Sequence, residues 1–115
     1  MKSSTFMLIF SSLLLVLVTG VGAETGKDNY KTYCVQCHGL EGNGKGINVA
    51  DMSTQPRDHT DAKEMSARTD QELFKVIKDG GQSITKSVLM PPWSSTFSDE
   101  EIEGLVKYLH QLCKC

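Results

Sequence analysis

Two cysteines and a histidine, Cys34, Cys37 and His38, form a C-x-x-C-H motif. Thiols three positions apart lie on one face of a helical turn, so both can bond to vinyl groups of a single porphyrin. The next residue, His38, then directs its imidazole at the porphyrin iron. The motif therefore predicts one haem c, covalently attached through Cys34 and Cys37, with His38 as the proximal iron ligand.

Two other kinds of site also use a C-x-x-C pair. A thioredoxin-like redox pair follows a strand, and no strand pattern precedes Cys34. A zinc site needs two further ligands at a paired spacing, and Cys113 with Cys115 offers only a C-x-C pair. The sequence therefore favours haem attachment over both alternatives.

A first helix must carry the motif. Thr25 followed by Asp28 predicts its start, because a threonine hydroxyl caps free N–H groups and an acid suits the first turn. Tyr30 and Tyr33 share one helical face with the two cysteines. The glycine-rich segment 39–46 predicts the end of this helix and a loop after it.

Capping boxes predict two more helices. Thr69 with Glu72 begins the second, and Ser98 with Glu101 begins the third. The long polar loop before the second helix shows no periodicity, so we expect it to lie against a buried cofactor. The residues expected in the core are Tyr30, Leu73, Phe74, Ile77, Leu89, Phe97, Leu105 and Leu109.

Length and charge exclude several classes of function. The chain has 115 residues and a formal charge of −2, which allows one domain and argues against a nucleic-acid-binding protein. Residues 1–23 resemble a cleaved signal peptide, with Lys2 as the only charge, an apolar run, and small residues before Glu24. We therefore expect an exported domain at 24–115 in a bacterial periplasm or similar compartment. An uncleaved membrane anchor is the alternative.

The exported domain resembles a class I cytochrome c, a small monohaem c-type cytochrome. Gly26, Tyr30 and the C-x-x-C-H motif match the first helix of that family, and Leu105 and Tyr108 match its last helix. The resemblance covers nearly all of residues 25–112. It implies an all-α cytochrome c fold, with three or more short helices and long loops wrapped around one haem, and a close crossing of the terminal helices near Gly26.

The middle loop departs from the family pattern. No proline aligns clearly with the family proline that positions the proximal histidine, and Pro56 is the only candidate. Pro56 belongs either to that role or with its neighbour Arg57. The carbonyl that accepts the other ring N–H of His38 is therefore left open.

Met90 is the predicted sixth ligand of the iron. Pro91 and Pro92 stiffen the backbone after it, so its thioether can reach the iron without a large ordering cost. The resemblance also implies a methionine ligand in a loop ahead of the last helix. The alternative for any lone methionine, Met52 and Met65 included, is core filling.

Two histidines and two further side chains complete the list of candidates. His59 and His110 are rival ligands by residue type, but both are expected in exposed, charged surroundings. Arg57 and Trp93 are expected near the haem propionates, through an ion pair and an indole N–H respectively. A solvated loop charge is the alternative for Arg57, and core packing is the alternative for Trp93.

The sequence leaves the role of Cys113 and Cys115 open. Thiols in an oxidising compartment tend to pair, so these two either bridge to each other or form a disulfide-linked or heteromeric association. Cys113 also continues the apolar face of the last helix and fits burial as a small hydrophobe. A thiolate ligand in place of Met90, which would lower the potential, is a further alternative.

His and Met ligands together would leave no open position on the iron. This favours a periplasmic carrier of single electrons between a redox protein donor and an acceptor, not an enzyme, with no catalytic residues. Contact with a membrane is expected only through a partner or an uncleaved signal. The alternatives are a haem-based NO or CO binding or sensing protein, and a cytochrome c subunit of a larger redox complex.

Overall fold

The computed structural model describes residues 21–115, and helices form all of its regular structure. The predicted all-α class is confirmed for this part of the chain. The predicted signal peptide lies almost entirely outside it, so the boundary at residue 24 stays a prediction. The elements are α1 (Val21–Tyr33), α2 (Val35–His38), α3 (Ala62–Ser66), α4 (Asp70–Asp79), a 3-10 helix (Gly81–Ile84) and α5 (Asp99–Cys113).

Helices α4 and α5 begin at the two predicted capping boxes. The N–H of Glu72 donates to the Thr69 hydroxyl at 3.2 Å, and the N–H of Thr69 donates to the Glu72 carboxylate at 2.8 Å. Ser98 and Glu101 make the same reciprocal pair, at 3.2 Å and 2.8 Å. Each box satisfies two N–H groups that the start of a helix leaves without partners. Both predicted helix starts are confirmed.

The predicted start of the first helix is wrong. Helix α1 already contains Thr25, because the backbone is helical from Val21 onward. A cap is needed only where helical hydrogen bonding begins, and residues 21–24 already have helical geometry. The predicted end is confirmed, since α2 stops at Gly39, whose φ of +86° places it in the left-handed region that favours glycine.

Helix α3 was not predicted. Its first turn is capped by Asp61, whose carboxylate accepts the N–H of Glu64 at 3.0 Å. This Asp-x-x-Glu spacing is the local signal that could have revealed the helix. Helix α3 buries Met65 completely in the core, which confirms core filling for that methionine.

The core lies where α1, α4 and α5 meet. Six of the eight predicted core residues are buried and Phe74 is half-buried, so these positions are confirmed. Leu89 is 60% exposed, so its predicted burial is wrong. Leu89 belongs to the loop ahead of α5, where it borders a cavity and no helix covers it. The buried six are Tyr30, Leu73, Ile77, Phe97, Leu105 and Leu109.

Helices α1 and α5 cross at Gly26 and Gly104. A Cβ atom on Gly26 would overlap the carbonyl group of Gly104 and would lie 2.9 Å from the backbone nitrogen of Leu105. One turn further along, the rings of Tyr30 and Tyr108 meet edge to face, with centroids 5.2 Å apart. The predicted close crossing at Gly26 is therefore confirmed.

Replacement of Gly26 by Ala is expected to lower the free energy of unfolding by about 3 kcal/mol, because the new methyl group forces two backbones apart. In an open helical position the same change would stabilise the protein by about 1 kcal/mol. The sign of the change in denaturant unfolding therefore tests the crossing. Lys31→Ala, on an exposed position of α1, is the control and should change the stability little.

No helix in residues 21–115 is long and apolar enough to cross a membrane.

Candidate functional site

A cavity of about 380 Å³ opens between the first helices, α4 and the loop ahead of α5. All six side chains that the sequence singled out for cofactor binding lie on its wall, although they come from three separate segments of the chain. Much of the remaining wall surface is apolar. The six are Cys34, Cys37, His38, Arg57, Met90 and Trp93.

The two motif cysteines stand at the junction of α1 and α2. Both are free thiols, and both are half-buried. The N–H of Cys34 donates to the Tyr30 carbonyl at 2.9 Å and the N–H of His38 donates to the Cys34 carbonyl at 2.9 Å, so the turn keeps helical bonding through the motif. The side chains of the motif therefore reach the same wall of the cavity.

Burial, with a smaller contribution from Cys37, raises the pKa of the Cys34 thiol to about 12. The first cysteine of a thioredoxin-like pair has a lowered pKa, since the thiolate is its reactive form. Cys34 is thus protonated at neutral pH, which argues against a redox pair.

His38 is oriented by a backbone carbonyl of the middle loop. Its Nδ1 lies 3.1 Å from the carbonyl oxygen of Arg57, to which the ring N–H donates. Nε2 is then the nitrogen left for a metal, as second hydrogen bonds commonly arrange for histidine ligands. Burial lowers the pKa of His38, which favours the neutral imidazole that binds iron. The carbonyl that the sequence left open is therefore that of Arg57, the residue after Pro56.

The side chain of Arg57 is engaged by α3. Its guanidinium lies 2.9 Å from the carboxylate of Glu64, and both residues border the cavity. Helix α3, absent from the sequence prediction, thus holds in place the residue whose carbonyl orients His38. The predicted pairing of Arg57 with a propionate stays a prediction.

The loop that carries Met90 is hydrogen-bonded to the 3-10 helix and to α4. The N–H of Gly81 donates to the Met90 carbonyl at 2.8 Å, and the N–H of Trp93 donates to the Ile77 carbonyl at 3.0 Å. One hydrogen bond before the two prolines and one after them therefore fix the backbone next to the Met90 thioether.

Trp93 packs in an aromatic cluster. Its ring meets Tyr33 edge to face and stacks on Phe97, with centroids 5.6 Å away in both cases. These contacts support the packing role that the sequence offered as the alternative for Trp93. Its contact with a propionate stays a prediction.

His59 is the main correction to the predicted site. It was expected to be exposed but is only 8% exposed, because its loop folds beneath α1. The Tyr30 hydroxyl lies 2.8 Å from its Nδ1, and its ring stacks on His38 with centroids 4.2 Å apart. Burial, together with the charges of His38 and Arg57, holds the pKa of His59 well below its usual range.

The positions of the other candidate side chains decide which of them could be the sixth ligand of the iron. Two imidazoles on opposite faces of one iron point nitrogens at each other, so His59, stacked on His38, is not placed for that role. The described cavity wall includes Met52 but neither Met65 nor His110. Met52 and Met90 are thus the two methionines that border the cavity.

Cys113 and Cys115 form a disulfide with each other, with their Cα atoms 5.2 Å apart. The described cavity wall includes neither residue, which argues against a thiolate ligand in place of Met90. The structure shows the bridge between the two cysteines, and the disulfide-linked or heteromeric association stays a prediction.

The donor set fits a haem. Two thiols on one helical face, a histidine oriented through its second nitrogen, and a thioether on a loop fixed by hydrogen bonds border a single, largely apolar cavity.

Comparison with known proteins agrees with this geometry. Residues 22–109 match the family described as cytochrome C oxidase, cbb3-type, subunit III. No curated protein matches the chain. A chain of the reducing HAO-like protein complex of Kuenenia stuttgartiensis superposes with a TM-score of 0.62 and 28% identity, over 77% of this chain and 41% of that chain. The present chain therefore spans less than half the length of that relative.

Two further solved structures share the fold. The KustC0563 c-type cytochrome superposes with a TM-score of 0.60 at 24% identity, over 76% of this chain and 95% of that one. Cytochrome CL from the marine methylotroph Methylophaga aminisulfidivorans superposes with a TM-score of 0.57 at 19% identity, over 78% of this chain and 54% of that one. The predicted cytochrome c fold is confirmed.

Because the family match covers most of the sequence, the chain belongs to the cytochrome C oxidase, cbb3-type, subunit III family, and it is a class I c-type cytochrome.

Proposed function

We propose that the chain is an exported carrier of single electrons that holds one haem c through thioether bonds to Cys34 and Cys37, with His38 and Met90 as the iron ligands. The observation that carries this proposal is that His38 and Met90 border one cavity while each is held by its own backbone hydrogen bonds. When bound, the haem iron supplies one-electron exchange between Fe(III) and Fe(II).

The residues of the chain act by holding and shielding. The Arg57 carbonyl keeps the His38 ring in one orientation, and the loop hydrogen-bonded to the 3-10 helix and to α4 holds the Met90 thioether. Ligands that move little between the two oxidation states suit a carrier, because little reorganisation accompanies each transfer. Aliphatic side chains of the wall, such as Leu73 and Ile77, exclude water.

A carrier role, and not catalysis, follows from the same ligand pair. With His38 and Met90 both bound, the iron has no open position for a substrate. Cys34, Cys37 and His38, which could otherwise act as catalytic groups on the cavity wall, would all be engaged in holding the haem. Electrons would then pass to and from separate redox proteins.

Export is supported by two features of the chain. Residues 1–23 have the composition of a signal peptide, and a disulfide such as Cys113–Cys115 persists in oxidising compartments. Cleavage after Ala23 would leave Glu24 as the first residue. Mass measurement of the mature protein tests this, since a mass that includes residues 1–23 would mean an uncleaved anchor.

A second candidate is a cytochrome unit within a larger redox complex. Two comparisons favour it, because the family description is that of an oxidase subunit and one structural relative is part of an HAO-like complex. Native mass measurement separates the candidates. A carrier should have the mass of a single chain with its haem, whereas a subunit should be recovered with the mass of a stoichiometric assembly.

Covalent attachment is tested directly by acid-acetone extraction of the holoprotein. The haem is expected to stay with the polypeptide, and Cys37→Ala is expected to leave one thioether and a less stable holoprotein. Cys115→Ser is the control, because Cys115 is outside the cavity and its variant should keep both thioethers. Release of the haem from the wild-type chain would contradict the proposal.

A further inference from the structure

A second cluster of metal-binding side chains lies at the end of α5, formed by His110, Cys113 and Cys115. One ring nitrogen and the two sulfurs lie within 4.8 Å of one another. The described wall of the haem cavity includes none of the three, so the cluster is separate from the site above. Cys113 is buried, His110 is half-buried and Cys115 is exposed.

The backbone at the end of α5 brings these side chains together. His110 and Cys113 are three positions apart and therefore share one helical face. Lys114 then adopts a left-handed conformation, with φ of +54°, and turns the chain back. As a result the N–H of Cys115 donates to the His110 carbonyl at 3.3 Å, which brings the second cysteine to the same face.

A carboxylate from α4 orients the histidine. The Asp70 carboxylate lies 2.7 Å from Nε2 of His110, while Nδ1 lies 3.2 Å from the carbonyl oxygen of Cys115. Both oxygens can only accept hydrogen bonds, so a metal ion at Nδ1 would replace the hydrogen bond from Nδ1 to the Cys115 carbonyl, while the N–H at Nε2 still donates to Asp70. Carboxylates orient metal-binding histidines in this way.

We propose that His110, Cys113 and Cys115 form a binding site for monovalent copper, which opens when the Cys113–Cys115 disulfide is reduced. Two thiolates and one imidazole are a soft donor set, which selects Cu(I) or Zn(II) among common metals. Structural zinc sites are almost always four-coordinate, and this cluster offers three ligand atoms. The Asp70 carboxylate is already engaged by His110, so the set fits Cu(I) better.

Opening the site is a two-electron thiol–disulfide exchange with a dithiol reductant. Because Cys115 is exposed and Cys113 is buried, the reductant's thiolate attacks the Cys115 sulfur, and Cys113 leaves as a thiolate. The second thiol of the reductant then attacks its partner sulfur in the mixed disulfide and releases Cys115. The reductant ends as a disulfide, and both electrons reside on the two cysteine sulfurs. Cu(I) then binds without change of oxidation state.

Anaerobic titration of the holoprotein with Cu(I), against a chromophoric Cu(I) chelator, tests the proposal. The protein is first reduced with excess dithiothreitol, which is removed before the titration. We expect one Cu(I) per reduced chain, with affinity roughly 100-fold or more above that of the disulfide form. Equal binding by the two forms would overturn the proposal, as would tighter binding of Zn²⁺ than of Cu(I) by the reduced form.

Two variants distinguish a copper ligand, Cys115, from Asp70, the residue that orients His110. Cys115→Ser is expected to lower the Cu(I) affinity by roughly 100-fold or more, and Asp70→Asn by roughly 10-fold. Asp79→Asn, an exposed carboxylate at the other end of α4, is the matched control and should leave the affinity unchanged. An unchanged visible haem spectrum verifies that each variant is folded. Full affinity in Cys115→Ser would overturn the site.

Discussion

Replacement of Met90 by Ala is expected to lower the reduction potential and to open the iron to carbon monoxide. A thioether is a neutral, weak donor that favours Fe(II), so its loss favours Fe(III). Its removal would also leave the iron without its second protein ligand. Potentiometric titration should show the lower potential, and the reduced variant should bind carbon monoxide stoichiometrically where the wild type binds little. The sulfur–iron charge-transfer band of the oxidised protein should disappear.

Met52→Ala is the sharper of two controls for this result. Met52 borders the same cavity as Met90, whereas Met65 is buried in the core and does not belong to the described wall. Neither control should change the potential or the spectrum. If Met52→Ala gives the effects expected for Met90→Ala, then Met52 is the ligand. Rapid carbon monoxide binding by the wild type would favour a gas-binding protein over a carrier.

The haem-free chain is expected to be largely disordered. A cavity of about 380 Å³ left empty would cost about 9 kcal/mol, at roughly 24 cal/mol for each Å³. Water entering through the open side reduces this cost, but half of it still rivals the roughly 5–15 kcal/mol that stabilises a whole domain. Far-UV circular dichroism of haem-free protein and of His38→Ala should therefore show little helix and no sharp thermal transition.

His110→Ala is the matched control for His38→Ala, because His110 lies outside the described cavity wall and pairs with Asp70 on the surface. Its haem-loaded form should fold normally. A haem-free chain with full helical signal and a sharp transition would contradict the organising role of the haem.

Features set by neighbouring residues could be predicted from the sequence. The capping boxes at Thr69 and Ser98 and the helix-ending Gly39 depend on local backbone preferences, and all three are confirmed. The C-x-x-C-H motif is equally local, so its position on a helical turn was predictable. The crossing at Gly26 was predicted only because the sequence resembles a known family.

Features set by distant contacts could not be predicted. The loop around His59 is polar in sequence, yet the N–H of His59 donates to the Gly42 carbonyl at 2.7 Å, which draws the ring under Tyr30. Leu89 is apolar, but the loop around it has no helix to cover it. Burial in both cases depends on how two remote segments pack, and no local pattern reports that packing.

The contact between Gly26 and Gly104 joins two residues separated by most of the chain. A polypeptide is synthesised from its N-terminus, so this crossing cannot close until α5 has been made as far as Gly104. Cys34 and Cys37 emerge long before that point, which keeps both thiols accessible on an open chain during synthesis. The order of synthesis, together with export from the N-terminus, would therefore leave an interval in which haem can be attached before the fold closes around it.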